Sequence, residues 1–279
     1  MDLEKKHVVY VFHDNKRPDI TYDLKNVETS AIELLIRGDT KNLLKLTELS
    51  GVKKLWIEFV NQKEFDKIIN LINPESLYIY GMRVEDLSGL ENLTNLKILG
   101  LESNTRTQEL WDLKANPFLE SLLIRGFSKL TNIQYLKHGS NLKILNLEGN
   151  DSNQLKIENL QPLKSLQNLE YLALSNIRVM DESLEPISVL KGLEIFKTSN
   201  QFPTEEFAML SVLLPNAQCN KFEPYFKLSY PIGNLNTMVV GKRKPILNDK
   251  RDKEKLDKYE RNFRKMQEKY LSKIKNKDK

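Results

Sequence analysis

Three aromatic residues, Trp56, Tyr78 and Tyr80, carry the most specific chemical signal in the chain. Trp56 and Tyr78 lie 22 residues apart, and Tyr80 follows two residues later. Alternate residues of a strand point to opposite faces. Short strands recurring with that period would therefore gather the three rings on one sheet face. The chemistry of such a cluster is recognition, because aromatic side chains are enriched among residues that carry protein-binding energy. Arg37, Glu58, Glu102 and Arg125 fall in the same phase and would supply charge complementarity, and Leu123 would add apolar contact. Exposed Trp beside exposed Tyr is otherwise unfavourable. Either a partner or another part of the chain, a cap or the C-terminal helix, must cover them.

Other chemistries find less support. His7, His13 and His138 are scattered, with no carboxylates at ligand spacing, and read as ordinary surface or cap histidines. Cys219 is the only cysteine, so a disulfide within the chain is excluded. It falls at an inward strand position, where a free thiol behaves as a small hydrophobe. Gly241-Lys-Arg-Lys-Pro245 lacks the spaced glycines of a phosphate loop. Carboxylates are numerous, but none forms a pair that recommends itself as an acid–base dyad. The expectation is a binding protein, not an enzyme, with no metal and no cofactor.

The elements that must position the aromatic cluster come from an internal repeat. Leu96-Lys-Ile-Leu99-Gly-Leu101-Glu-Ser-Asn104 and Leu142-Lys-Ile-Leu145-Asn-Leu147-Glu-Gly-Asn150 both fit L-x-x-L-x-L-x-x-N at every fixed position. Looser copies centre on Leu34, Leu55, Leu77, Leu122, Leu172 and Phe196, and a fragment at Ala217 keeps the phase. The intervals are 21, 22, 22, 23, 23, 27, 24 and 21 residues, the period of leucine-rich repeats. Each unit is too small to cover its own apolar face, so each needs the next one stacked on it. The motif's last position holds Asn104 or Asn150 in two copies but Val60, Met82, Phe127 or Ile177 in others, which predicts an imperfect asparagine ladder. Leu87, Leu90, Leu93 and Leu96, like Leu160, Leu163, Leu166 and Leu169, recur every third residue, as short 3₁₀ returns demand. The return from Lys63 to Leu71 reads as more fully helical.

This phrasing over roughly residues 27–224 resembles the SDS22-like class of leucine-rich repeats, as found in bacterial internalin-type proteins. The resemblance implies an α/β solenoid: a curved parallel sheet with short helical or 3₁₀ returns. It also implies a concave face built from the strand residues between the inward leucines. The central column of that face would be Leu35, Trp56, Tyr78, Gly100, Leu123, Asn146, Ala173 and Lys197. At roughly 4.8 Å per strand it would extend about 35–40 Å, a length that suits a protein partner.

The ends depart from the repeat. His7–Phe12 and Asp19–Leu24 are β-prone runs separated by a turn at Asn15-Lys-Arg-Pro18, which reads as an N-terminal β cap over 1–26. Tyr225–Tyr230 and Thr237–Val240 flank a Pro-Ile-Gly-Asn turn and read as a cap hairpin within 225–245. Residues 246–279 read as a charged amphipathic helix, capped by Asn248 or Asp249. Leu256, Tyr259, Phe263, Met266, Tyr270 and Ile274 share one of its faces. From Lys242 onward there are 16 basic and 7 acidic residues, against 27 and 31 before it. A mildly acidic body thus carries a basic tail.

The charged N-terminus with its short apolar run does not read as a signal peptide, and no segment approaches a membrane span. The expected location is cytoplasmic, with no membrane partner. The leading expectation is a scaffold holding a protein on its concave face, as a bacterial intracellular adaptor or inhibitory protein would. The alternative is nucleic-acid association through the basic tail, whose interleaved acids favour instead a helix packed on the solenoid end or self-associating with a second copy.

Overall fold

In the computed structural model, which describes residues 3–14 and 17–277, the leucine periodicity becomes a parallel sheet. In chain order the elements begin with a short helix α1 (Leu3–Lys6) and a π-helical turn (Tyr10–Asp14). They continue with β1 (Glu33–Arg37), β2 (Lys54–Asn61), α2 (Gln62–Ile69), β3 (Ser76–Arg83), β4 (Ile98–Asn104), β5 (Ser121–Arg125) and β6 (Ile144–Glu148). The short β7 (Leu155–Ile157), then β8 (Tyr171–Ser175), β9 (Ile177–Val179) and β10 (Ile195–Thr198) complete the repeats. After them come α3 (Thr204–Leu213), β11 (Tyr225–Ile232), β12 (Leu235–Val239), β13 (Ile246–Leu247) and α4 (Lys253–Lys277). The main sheet has eight strands in the order β1-β2-β3-β4-β5-β6-β8-β10, so each unit pairs with the next. β7 and β9 form a separate parallel pair.

The register follows the repeat. Leu34, Leu55, Leu77, Leu99, Leu122, Leu145, Leu172 and Phe196 are successive partners across the sheet. All eight belong to one buried core, which also takes in the leucines of the returns. The returns are 3₁₀ turns at Ser88–Asn92 and Gln161–Ser165, where leucine recurs every third residue. α2 is a full helix, held at its start by a reciprocal capping box between Asn61 and Glu64. The asparagine ladder is imperfect. Buried Asn104 accepts from the Arg106 backbone N–H at 2.9 Å and donates to Thr107 Oγ1 at 2.9 Å. Val60, Met82, Phe127 and Ile177 fill the same position as buried apolar groups.

The N-terminus differs from the expected β cap. His7–Phe12 is not a strand: the chain is helical on both sides of a bend at His7, through Asp14. Val8, Val11 and Phe12 are spaced three and four apart, so the same apolar residues satisfy a helical face as readily as an extended one. Residues 17–24 do run beside the sheet, through parallel bridges Ile20–Leu35 and Asp23–Lys41. Asn15 and Lys16 of the expected turn lie outside the described residues.

At the other end β11 and β12 pair as an antiparallel hairpin, and β13, at residues expected to begin the terminal helix, adds a third strand. α4 starts at Lys253, later than expected, because Asn248 and Asp252 organise the preceding turn. Asn248 Oδ1 accepts from the Lys250 and Arg251 backbone N–H groups, and Asp252 accepts from the Asn248 N–H. The predicted stripe packs on the chain's own end. Phe263 is fully buried in the main core, with Met266 and Tyr270 against it, and Leu256 and Tyr259 pack with Val239 and Leu247. Five of the six stripe residues, all but Ile274, are thus used internally. Among the described residues no helix is long and apolar enough to cross a membrane.

Candidate partner-binding face

The sheet face opposite the returns is the concave face of this repeat class. Its central column is Leu35, Trp56, Tyr78, Gly100, Leu123, Asn146, Ala173 and Lys197, each paired with the next across the sheet. The flanking column runs Arg37, Glu58, Tyr80, Glu102, Arg125, Glu148. The sequence therefore places all eight expected site residues, Arg37, Trp56, Glu58, Tyr78, Tyr80, Glu102, Leu123 and Arg125, on one face.

Their accessibility separates them into two groups. Trp56 is only 2% exposed and Tyr78 5%, because the N-terminal helical segment lies over them. Phe12 meets the Trp56 ring edge-on at 5.1 Å between centroids and stacks on Tyr78 at 5.4 Å. Leu35 and Leu123 are buried in the same small cluster, with Val8. Gly100 is required for this contact, since a Cβ there would collide with the Tyr78 ring and meet Val8 Cγ1 at 2.7 Å. The alternative that part of the chain covers the aromatics thus holds for Trp56 and Tyr78, and the covering part is the N-terminal segment.

Ion pairs pin both ends of that segment: Lys6 to Glu120, and Arg17 to the buried carboxylate of Glu58. Further along the sheet, Arg125 binds Glu148 at 2.8 Å and approaches Glu102 at 3.6 Å. Tyr78 donates its hydroxyl to Glu102, and burial together with that bond pushes the phenol well above its ordinary range. His13, read as an ordinary cap histidine, places Nε2 3.1 Å from the same hydroxyl. His7 packs edge-on against Tyr171, and burial lowers its pKa below 6.5. Its ring also interacts with the side chain of buried Asn146. Cys219 is partly buried, which raises its thiol pKa, and no group of three or more potential metal ligands occurs among the described residues.

Tyr80 stays open at 37% exposed, and beside it lies a residue that the aromatic pattern alone did not single out. Phe59 is 52% exposed, with its ring 5.6 Å from that of Tyr80 and under the Arg37 guanidinium at 5.2 Å. It adopts a left-handed backbone at φ 54°. The equivalent positions in the other repeats are Gly38, Gly81, Ser103, Gly126, Gly149, Asn176 and Asn200. Four of them, Gly81, Ser103, Gly126 and Asn176, share the positive φ. That column was the available signal: the strand exit turns left-handed, and one bulky aromatic interrupts a run of Gly, Ser and Asn. Only glycine at 81 lets the Phe59 ring lie where it does, since a Cβ there would come within 2.7 Å of Cδ1.

The chain is similar to an internalin (InlF) of Listeria monocytogenes, 25% identical, at a TM-score of 0.51 over 63% of this chain and 49% of that one. That likeness joins the in-register leucine column, the 3₁₀ returns and the asparagine positions. The chain is a leucine-rich-repeat protein. The leucine-rich-repeat protein spans about half the length of that internalin. An internalin C2 of the same organism is 26% identical at a TM-score of 0.45, over 62% of this chain and 71% of that one. The leucine-rich-repeat ectodomain of a membrane receptor kinase from Arabidopsis thaliana is 19% identical at 0.37, over 64% and 25%. No family model and no curated protein matches this leucine-rich-repeat protein.

Proposed function

We propose that this leucine-rich-repeat protein is an interaction scaffold that holds a protein partner on its concave face. The part of the site open to a partner is the rim formed by Arg37, Phe59 and Tyr80. The observation that carries this reading is Phe59. A non-glycine residue in the left-handed region costs roughly 1–2 kcal/mol, and more than half of this apolar side chain faces solvent. Neither fold nor solubility gains from that combination. Strain of this kind concentrates at binding sites, and aromatic and arginine side chains dominate interface energetics. Glu58, Glu102 and Arg125 supply charge next to the rim, while Trp56, Tyr78 and Leu123 form the apolar floor beneath the N-terminal segment.

Binding through the basic tail to nucleic acid has less support. Arg264 and Lys269 of α4 already pair with Glu223 and Glu205 of the solenoid end. Retention on a polyanion column that falls steeply with salt would favour that reading.

The scaffold reading is tested by comparative affinity capture from the source cell with wild type, Phe59→Asn and Tyr80→Ala. Asn suits the left-handed position, so the fold is preserved. Proteins retained by wild type and lost by both variants, at unchanged thermal midpoints, are the expected result. Equal retention by all three chains contradicts the rim as the binding surface.

A further inference from the structure

The concave face is already occupied by a segment of its own chain, and the manner of occupation describes a ligand. Residues 6–14, with Arg17 beyond them, lie over the sheet between Tyr171 on β8 and Glu58 on β2. Two apolar anchors one helical turn apart, Val8 and Phe12, fill the floor formed by Leu35, Trp56, Tyr78 and Leu123. A cation closes each end, Lys6 on Glu120 and Arg17 on Glu58. This is how an amphipathic helix fills a groove.

The polar start of the segment fits as well: half-buried His7 interacts with the side chain of Asn146, which is 2% exposed.

We propose that residues 6–17 are a displaceable stand-in for the partner, which is a short helix of another protein bearing two apolar side chains one turn apart between flanking basic residues. This rests on the concave-face reading above and names the partner's chemistry. Charge complementarity selects it: the groove offers carboxylates, Glu120 and Glu58, where the ligand's ends must lie.

The test uses the full chain and a fluorescein-labelled synthetic peptide of residues 3–18 as the probe, read by anisotropy. In wild type the tethered segment competes for the groove. If the open state is populated at about 10% or less, the peptide binds about tenfold or more weaker than to an opened chain. Phe12→Asp opens the groove. Should that chain not melt cooperatively, Lys6→Ala with Arg17→Ala loosens both ends through partly exposed side chains and replaces it. The expected result is saturable binding to the opened chain, at least tenfold tighter than to wild type. Adding Glu58→Arg to the opened chain should weaken binding, and a peptide with Arg17→Glu should restore it, which a general loss of structure cannot produce. Equal affinity for wild type and a folded opened chain, or no binding to that chain, overturns the proposal. Captured partners set its failure apart from that of the scaffold reading. Partners lost with Phe59→Asn but held equally by wild type and the opened chain leave the scaffold standing and remove the stand-in.

Discussion

Single residues divide into those that the repeat demands and those that depart from it. Asn104 is demanded: it is fully buried and ties the strand exit to Thr107 and to the Arg106 N–H. Asn104→Ala should cost about 1–3 kcal/mol, because it leaves buried polar groups unpaired; a chemical-denaturation midpoint that does not move would contradict that role. Phe59 departs. Phe59→Asn should leave stability unchanged or raise it by up to about 1 kcal/mol, relief of the left-handed cost being offset by lost ring contacts with Tyr80 and Arg37. A loss well beyond 1 kcal/mol would mark the ring as structural. The inward leucines were legible because period two on a strand and about 23 along the chain together fix their direction. Phe59 was not legible from residue type, since an aromatic in a strand reads as ordinary. It becomes conspicuous only against the column of Gly, Ser and Asn that shares its turn.

At the scale of elements, periodicity served where a pattern was long and failed where it was short. α4 was legible from six apolar residues on one face, and five of them, Leu256, Tyr259, Phe263, Met266 and Tyr270, pack on the solenoid end. Its entry depends on Asp252, whose carboxyl is held down to about 2 by hydrogen bonds from the Asn248 N–H and Lys255. A depressed carboxyl stabilises the fold fully above its ordinary value of 3.8, and that contribution is lost as pH falls through about 2. The thermal midpoint of wild type should therefore decline more steeply between pH 4 and pH 2 than that of Asp252→Asn, measured by circular dichroism; parallel slopes would remove the assignment. His7–Phe12 reads as a strand from sequence because its five Val, Tyr and Phe residues satisfy two periods at once. Tertiary contact with the groove decides between them.

His7 gives that segment a pH dependence of its own. Burial lowers its pKa below 6.5, with Glu148 raising it and Lys197 and Arg125 lowering it further. The neutral imidazole is thus the docked form. Docking is fully favourable above about 6.5 and weakens as pH falls through the lower docked value. The anisotropy affinity of the peptide for an opened chain should drop between pH 7.5 and pH 5, and the same peptide with His7→Gln should lose that drop. An unchanged affinity in the His-containing peptide would contradict the buried imidazole.

The whole molecule is a stack in which each unit's core face is completed by its neighbours. The sequence could reveal the fold because the stack repeats one local rule eight times, and a column assigned in one unit propagates to all. It could not reveal which part of the concave face stays open. That depends on a non-repeating segment that lies over six strands, from β8 to β2, a contact with no periodic signature. The decisive quantity is the accessibility of Trp56. Both tryptophans, Trp56 and Trp111, are nearly fully buried, so acrylamide quenching reads the covering of Trp56 without a reporter. Weak quenching of wild type, clear quenching of one tryptophan in folded Phe12→Asp, and renewed protection when the 3–18 peptide is added are expected. Strong quenching of wild type, or a folded Phe12→Asp chain no more accessible than wild type, would contradict that covering of Trp56.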